Sequence, residues 1–137
     1  MQTNIVELKN NIESLARKYN LELVILFGSQ ASKKTHKQSD LDIAVLAEND
    51  LSGEDEWRVA NEISLISGIK DVEIVNLKTA SPILLKEITD NGINLYEKDS
   101  GLFSTQRMRA FKMFVESKPL RILRDQKLLE FLSLREV

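Results

Sequence analysis

Two aspartates, Asp40 and Asp42, stand at the start of a short apolar run, at a spacing that suits metal chemistry. Side chains two residues apart in a strand point to the same face, so these carboxylates would be neighbours while Leu41 and Ile43 turn towards a core. Adjacent carboxylates repel each other, and a divalent cation removes that repulsion. Oxygen ligands of this kind suit Mg²⁺ or Mn²⁺. The alternative is that both aspartates begin a strand and face water.

The dipeptide Gly28-Ser29 follows the apolar run LELVILF directly. A glycine at the end of a strand lets the backbone approach a ligand closely. Backbone N–H groups and the Ser29 hydroxyl could then hold phosphate oxygens. The alternative is an ordinary glycine that ends a strand, with Ser29 as a turn or cap residue.

A third carboxylate, Glu73, lies inside the apolar segment VEIV. Alternation turns Val72 and Ile74 one way and Glu73 the other. If this segment pairs beside the strand that follows Asp40, Glu73 reaches the same site. Three carboxylates facing a phosphate-binding turn would suit phosphoryl transfer. The alternatives are a solvent-facing residue on an edge strand, or a salt bridge from Glu73 to Lys70 or Lys78.

The elements that must position these residues follow from periodicity and turn signals. Apolar spacing predicts helices that start at Ile5, that run from Trp57 to Gly68 with Trp57 in the core, and that start at Ser81-Pro82 and end near Asn91-Gly92. Buried strands are predicted at 21–27 and 41–46, a third strand at 72–77, a short edge strand at 93–96 and a polar loop at 29–39. This order predicts an α+β fold, a small mixed β-sheet flanked by helices.

The last part of the chain differs from the rest. Residues 101–137 carry a net charge of +4, whereas the chain as a whole carries −2. We predict a domain at 1–98 and a helical tail at 99–137 that Pro119 interrupts. The basic tail either meets an acidic partner or presents a solvated helix face. Its Phe and Met residues at 103–114 either form a partner surface or pack on the body of the protein.

Composition excludes several classes of function. The chain of 137 residues has no cysteine, which excludes disulfides and cysteine-based zinc sites. No apolar run approaches the roughly 20 residues that a membrane helix needs, and the N-terminus does not resemble a secretory signal. The small net charge does not point to nucleic acid. We therefore expect a cytoplasmic protein that binds neither membranes nor nucleic acid directly.

The segment FGSQASKKTHKQSDLDIAV resembles the signature of the polymerase-beta-like nucleotidyltransferases. That signature is Gly-Ser, ten residues, then Asp-x-Asp, and ten residues separate Ser29 from Asp40 here. Ser39 matches the signature as well. The resemblance extends over about residues 5–98 to the minimal nucleotidyltransferase (MNT) group, and its closest likeness is to the antitoxins of HEPN/MNT toxin–antitoxin pairs.

The resemblance implies an antitoxin enzyme, a Mg²⁺-dependent protein adenylyltransferase. Such an enzyme moves AMP from ATP to a tyrosine of a HEPN-family ribonuclease toxin and so neutralises it. The resemblance implies metal binding and catalysis by Asp40, Asp42 and Glu73. It implies nucleotide binding by Gly28, Ser29 and Ser39.

Three departures from the family pattern bear on activity. Ser32 and Lys33 replace the arginine and glycine of many members, Glu73 replaces the usual aspartate, and the basic tail has no counterpart in the shortest members. Two alternatives therefore stay open. The chain could be a catalytically weak antitoxin that acts by direct binding, or a nucleotidyltransferase of small molecules.

Overall fold

The computed structural model describes residues 5–28 and 40–135. Five helices and four strands occupy this part of the chain, in the order that the sequence predicts. They are α1 (Ile5–Lys18), β1 (Leu21–Phe27), β2 (Leu41–Ala47), α2 (Gly53–Ser67), β3 (Val72–Asn76), α3 (Pro82–Asn91), β4 (Ile93–Glu97), α4 (Leu102–Glu116) and α5 (Lys118–Arg135).

The four strands form one mixed sheet in the order β3-β2-β1-β4. Strand β1 pairs antiparallel with both β2 and β4, whereas β3 pairs parallel with β2. The predicted α+β fold with a small mixed sheet is therefore confirmed, and β4 lies at an edge as expected.

Helices cover both faces of the sheet, which explains why β1 and β2 are almost continuously apolar. On one face, α1 and α2 pack against the strands through residues such as Ile12 and Ile63. On the other face, α3 and α4 contribute Leu85, Ile88 and Ala110 to a second core. Burial of both faces of β1 and β2 therefore specifies the register in which these two strands pair.

Capping residues set both ends of α3 and the C-terminal end of α2 where the sequence predicts them, whereas α2 begins at Gly53, after the N-cap Ser52 and four residues before the predicted start at Trp57. The Ser81 Oγ accepts a hydrogen bond of 3.2 Å from the Leu84 N–H, and Pro82 occupies the first turn of α3. Gly68 ends α2 in the left-handed conformation, with φ of 76°. Local sequence signals thus fix the helix that follows β2 and the helix that follows β3.

The prediction that Trp57 packs in the core was wrong, because its side chain is 66% exposed. Val59 and Ile63 form the buried stripe of α2. Trp57 lies two positions before Val59, which is about 200° around a helix of 3.6 residues per turn. The prediction from apolar spacing is therefore confirmed for Val59 and Ile63 and wrong for Trp57.

The two C-terminal helices differ in burial. Helix α4 contributes the fully buried Ala110 to the second core, whereas α5 exposes leucines along its length. Pro119 stands in the first turn of α5, where the chain starts a new helix after Glu116. In the part of the chain described, neither α5 nor any other helix is long and apolar enough to cross a membrane.

Candidate active site

The strand register brings Asp42 and Glu73 together. They are Cα partners on the parallel strands β2 and β3, and Asp42 is also the partner of Phe27 on β1. Gly28 follows Phe27 at the end of β1. The glycine turn and the two carboxylates therefore meet at one end of the sheet, as the sequence predicts for strands that pair side by side.

Gly28 stands where a side chain would meet the carboxylate of Asp42. Its φ is 77°, and a Cβ atom added there would lie 2.2 Å from Oδ2 of Asp42. A residue with a side chain would be strained by the backbone conformation and would collide with the carboxylate. Glycine thus lets the chain that leaves β1 pass directly beside Asp42.

The surroundings of Asp42 make its ionised form unfavourable. Burial raises the pKa of Asp42 above its ordinary value, and the charges of Glu73 and Asp40 raise it further. A hydrogen bond shared between the Asp42 and Glu73 side chains acts in the same direction. The site therefore favours a proton or a cation between these groups.

The donor set fits a hard divalent cation in chemistry, since all three groups are carboxylates. Asp40 and Glu73 are exposed and Asp42 is half-buried, so a cation can reach them. Within residues 5–28 and 40–135, no three such side chains already converge on one point.

Four of the six predicted site residues lie in the described part of the chain and come together there: Gly28, Asp40, Asp42 and Glu73. Ser29 and Ser39 lie outside the described residues, as do Ser32 and Lys33. Of the alternatives for Glu73, the structure shows an exposed residue on the edge strand β3. Among the described residues Glu73 forms no salt bridge with Lys70 or Lys78, and the Lys78 Nζ lies 3.6 Å from a carboxylate oxygen of Asp50.

A cleft of about 270 Å³ adjoins the carboxylates on the outer side of β3. Asp40 and Glu73 line it from the sheet, Trp57 and Asn61 line it from α2, and Lys70 belongs to the connection between α2 and β3. Sequence reasoning missed this cleft because it assigned Trp57 to the core. The offset of Trp57 from the stripe of Val59 was the signal that could have revealed it.

Comparisons with known proteins agree with this geometry. The model of the family described as polymerase beta, nucleotidyltransferase, matches residues 10–101. The protein adenylyltransferase MntA of Shewanella oneidensis is 32% identical over 94 residues, which cover 67% of each chain.

Two solved structures are similar along most of the chain. One is a toxin–antitoxin with AMP-PNP, at a TM-score of 0.77 and 27% identity, covering 88% of this chain and 98% of that one. The other is the tri-AMPylated Shewanella oneidensis HEPN toxin in complex with an MNT antitoxin, at a TM-score of 0.74 and 24% identity, covering 91% and 98%. At that identity the second likeness concerns the fold.

Proposed function

The chain belongs to the polymerase beta nucleotidyltransferase family, and we propose that it is an antitoxin that transfers AMP from ATP to a tyrosine of a HEPN toxin. The observation that carries the proposal is the contact of Gly28 with Asp42, beside Glu73 on the next strand. A relative that is a protein adenylyltransferase supports the reaction, and a similar toxin–antitoxin with AMP-PNP supports the nucleotide.

We assign the binding roles residue by residue. Gly28, Ser29 and Ser39 would hold the triphosphate of ATP, since a glycine turn brings backbone N–H groups close to phosphate oxygens. Asp40, Asp42 and Glu73 would hold Mg²⁺ or Mn²⁺. When bound, such a cation neutralises the carboxylates and the phosphate charge. The raised pKa of Asp42 supports this role, because the pair of carboxylates needs a positive charge beside it.

The reaction is a displacement at the α-phosphorus of ATP. The phenol oxygen of the acceptor forms a bond to that phosphorus, and the bond from the phosphorus to the bridging oxygen of the β-phosphate breaks. Pyrophosphate leaves with the electron pair, and the phenol proton passes to the carboxylate of Glu73. Catalysis of such a transfer rests mainly on positioning and on charge stabilisation.

Labelled ATP tests the proposed reaction. The purified chain is incubated with its folded HEPN toxin, Mg²⁺ and ATP labelled either on the α- or on the γ-phosphate. We expect label on the toxin from α-labelled ATP alone, with none from the Asp42→Asn variant. Asp50→Asn is the matched control, because its carboxylate is 94% exposed and pairs only with Lys78 in the described part of the chain. Label from γ-labelled ATP would show phosphorylation instead.

We propose that α5 is the surface that holds the toxin. Its most exposed leucines are Leu120 at 70%, Leu129 at 66% and Leu134 at 76%. Basic residues alternate with them, so the surface suits an acidic and apolar patch on a partner. Exposed large apolar side chains occur all along α5, and surfaces that expose so many of them are characteristic of interaction sites.

The variant Leu120→Glu/Leu129→Glu tests this surface. Both leucines are exposed, so the chain should fold and bind Mg-ATP as before while its affinity for the toxin falls at least tenfold. Leu65→Glu is the control, since it places the same charge at an 85% exposed leucine on α2. Equal toxin affinity of the α5 variant and the control would refute the proposed surface.

A second function remains possible because none of the described residues of α5 belongs to either core and α5 is separate from the strands that carry the carboxylates. Neutralisation by contact alone would need α5 and not the carboxylates. Growth protection by Asp42→Asn at the level of the unchanged antitoxin would favour this binding antitoxin over the enzyme.

We propose a protein acceptor and not a nucleic acid, and a cytoplasmic location. Residues 1–100 carry a net charge of −6, which opposes a polyanionic substrate. ATP and the RNA that a ribonuclease toxin would cut are both found in the cytoplasm.

A further inference from the structure

The cleft beside Glu73 combines features that the proposed roles of the carboxylates do not use. Trp57 exposes 66% of its surface at the cleft wall, although burial of Val59 and Ile63 already anchors α2. Exposing a large aromatic side chain costs free energy, and tryptophan is enriched at binding hot spots. The position of Trp57 therefore suits contact with a ligand better than a structural role.

The size and chemistry of the cleft restrict what can enter it. Its volume of about 270 Å³ lies just below the usual range for small-molecule pockets, which suits a single side chain. Asp40, Asp71 and Glu73 contribute carboxylates to its lining, against one ammonium group from Lys70. An acidic lining of this kind disfavours a phosphate-bearing acceptor and favours a neutral ring flanked by basic residues.

We propose that this cleft receives the acceptor tyrosine of the toxin, with Trp57 stacking against its ring and Asn61 beside it. Glu73 belongs both to the cleft and to the carboxylate pair with Asp42. A phenol in the cleft would thus lie beside the carboxylates that are proposed to bind the cation. This inference rests on the proposed transfer of AMP and assigns the acceptor-specificity residue of the same site.

Kinetics with the folded toxin as acceptor test the role of Trp57. Trp57→Ala should raise the KM for the toxin at least tenfold and leave the dissociation constant of Mg-ATP within twofold. Trp57→Phe should restore most of the loss, because it keeps an aromatic ring. Leu65→Ala, on the same helix and outside the cleft, should change neither constant. An unchanged KM for Trp57→Ala, or an equal loss of Mg-ATP binding, would overturn the proposal.

Fluorescence separates failure of this inference from failure of the proposed function. Trp57 is the only tryptophan of the chain, so its emission reports on the cleft. The toxin should protect Trp57 from acrylamide quenching at least twofold, after subtraction of the Trp57→Phe complex, whereas Mg-ATP alone should not. Protection of Trp57 without label transfer would support the proposed role of the cleft and refute the proposed AMP transfer. Label transfer without protection of Trp57 by the toxin, or protection of Trp57 by Mg-ATP alone, would overturn the proposal that the cleft receives the acceptor tyrosine.

Discussion

Gly28 is the residue at which the geometry of the site is most sensitive to substitution. Its backbone lies against the carboxylate of Asp42, and its φ of 77° belongs to the left-handed region. Two separate costs would follow a side chain at this position: the backbone conformation and the collision. Gly68 has a φ of 76° with open space around it, so the chain offers a control that carries the first cost alone.

Gly28→Ala should lower the free energy of unfolding by about 1–3 kcal/mol and abolish Mg-ATP binding, because Asp42 must move to admit the methyl group. Gly68→Ala should cost less and should keep Mg-ATP binding. Urea denaturation and calorimetric titration measure the two quantities. Equal effects of both substitutions on stability and binding would contradict the close approach of Gly28 to Asp42.

Asp42→Asn should separate stability from function. Without metal at neutral pH, the loss of a half-buried charge beside Glu73 should raise the free energy of unfolding by about 0.5–2 kcal/mol. The same change should remove AMP transfer, since an amide is a poor ligand for Mg²⁺. Thermal melts in a chelating buffer measure the gain, with Asp50→Asn as the control. A lower melting temperature for Asp42→Asn than for the unchanged chain would contradict the proposed repulsion.

At the scale of elements, the sequence predicted the sheet better than the helix surfaces. The apolar runs of β1 and β2 allow only a strand covered on both faces, and alternation in β3 placed Glu73 on the face of Asp42. Parallel pairing of β3 with β2 depends on contacts between distant segments. From residue spacing alone, the pairing of β3 with β2 could be stated as a condition for the site but not predicted. Trp57 was wrongly predicted to be buried. One apolar residue outside the buried stripe of α2 leaves the helical pattern almost unchanged, so the pattern does not show which way that side chain points.

An ion pair joins α1 to α2, the helix that carries Trp57. The Lys18 Nζ lies 2.8 Å from Oε1 of Glu62, and this hydrogen bond lowers the pKa of the Glu62 carboxyl, with a further contribution from Tyr19. A lowered pKa in the folded state adds stability above the ordinary value of 4.5, and this stability disappears as the pH falls through the lowered value.

Glu62→Gln should therefore lower the melting temperature at pH 7, and the difference from the unchanged chain should shrink below pH 4. Glu13→Gln breaks a pair within α1 only and should have a smaller effect at pH 7. Melting curves across pH 3–8 measure both. A difference for Glu62→Gln that grows as the pH falls would contradict the sign of the pKa shift.

The whole molecule separates its chemistry from its exposed apolar surface. The site lies at one end of the sheet, and α5 presents leucines that the core does not use. The family and the fold were within reach of the sequence because Gly28-Ser29 and Asp40-x-Asp42 occur at a specific separation with strands on either side. The exposure of the α5 leucines could not be predicted from the sequence, because their spacing fits a helix packed against a core equally well.

Adenylylation of the toxin is the central claim, and intact-mass spectrometry of the toxin tests it most directly. The toxin is measured after incubation with Mg-ATP and either the unchanged chain or Asp42→Asn, under conditions in which both bind it. We predict a mass increase by whole AMP units, mapped to tyrosine, with the unchanged chain and no increase with Asp42→Asn. An unmodified toxin that the unchanged chain nevertheless neutralises would contradict the account, as would full modification by Asp42→Asn.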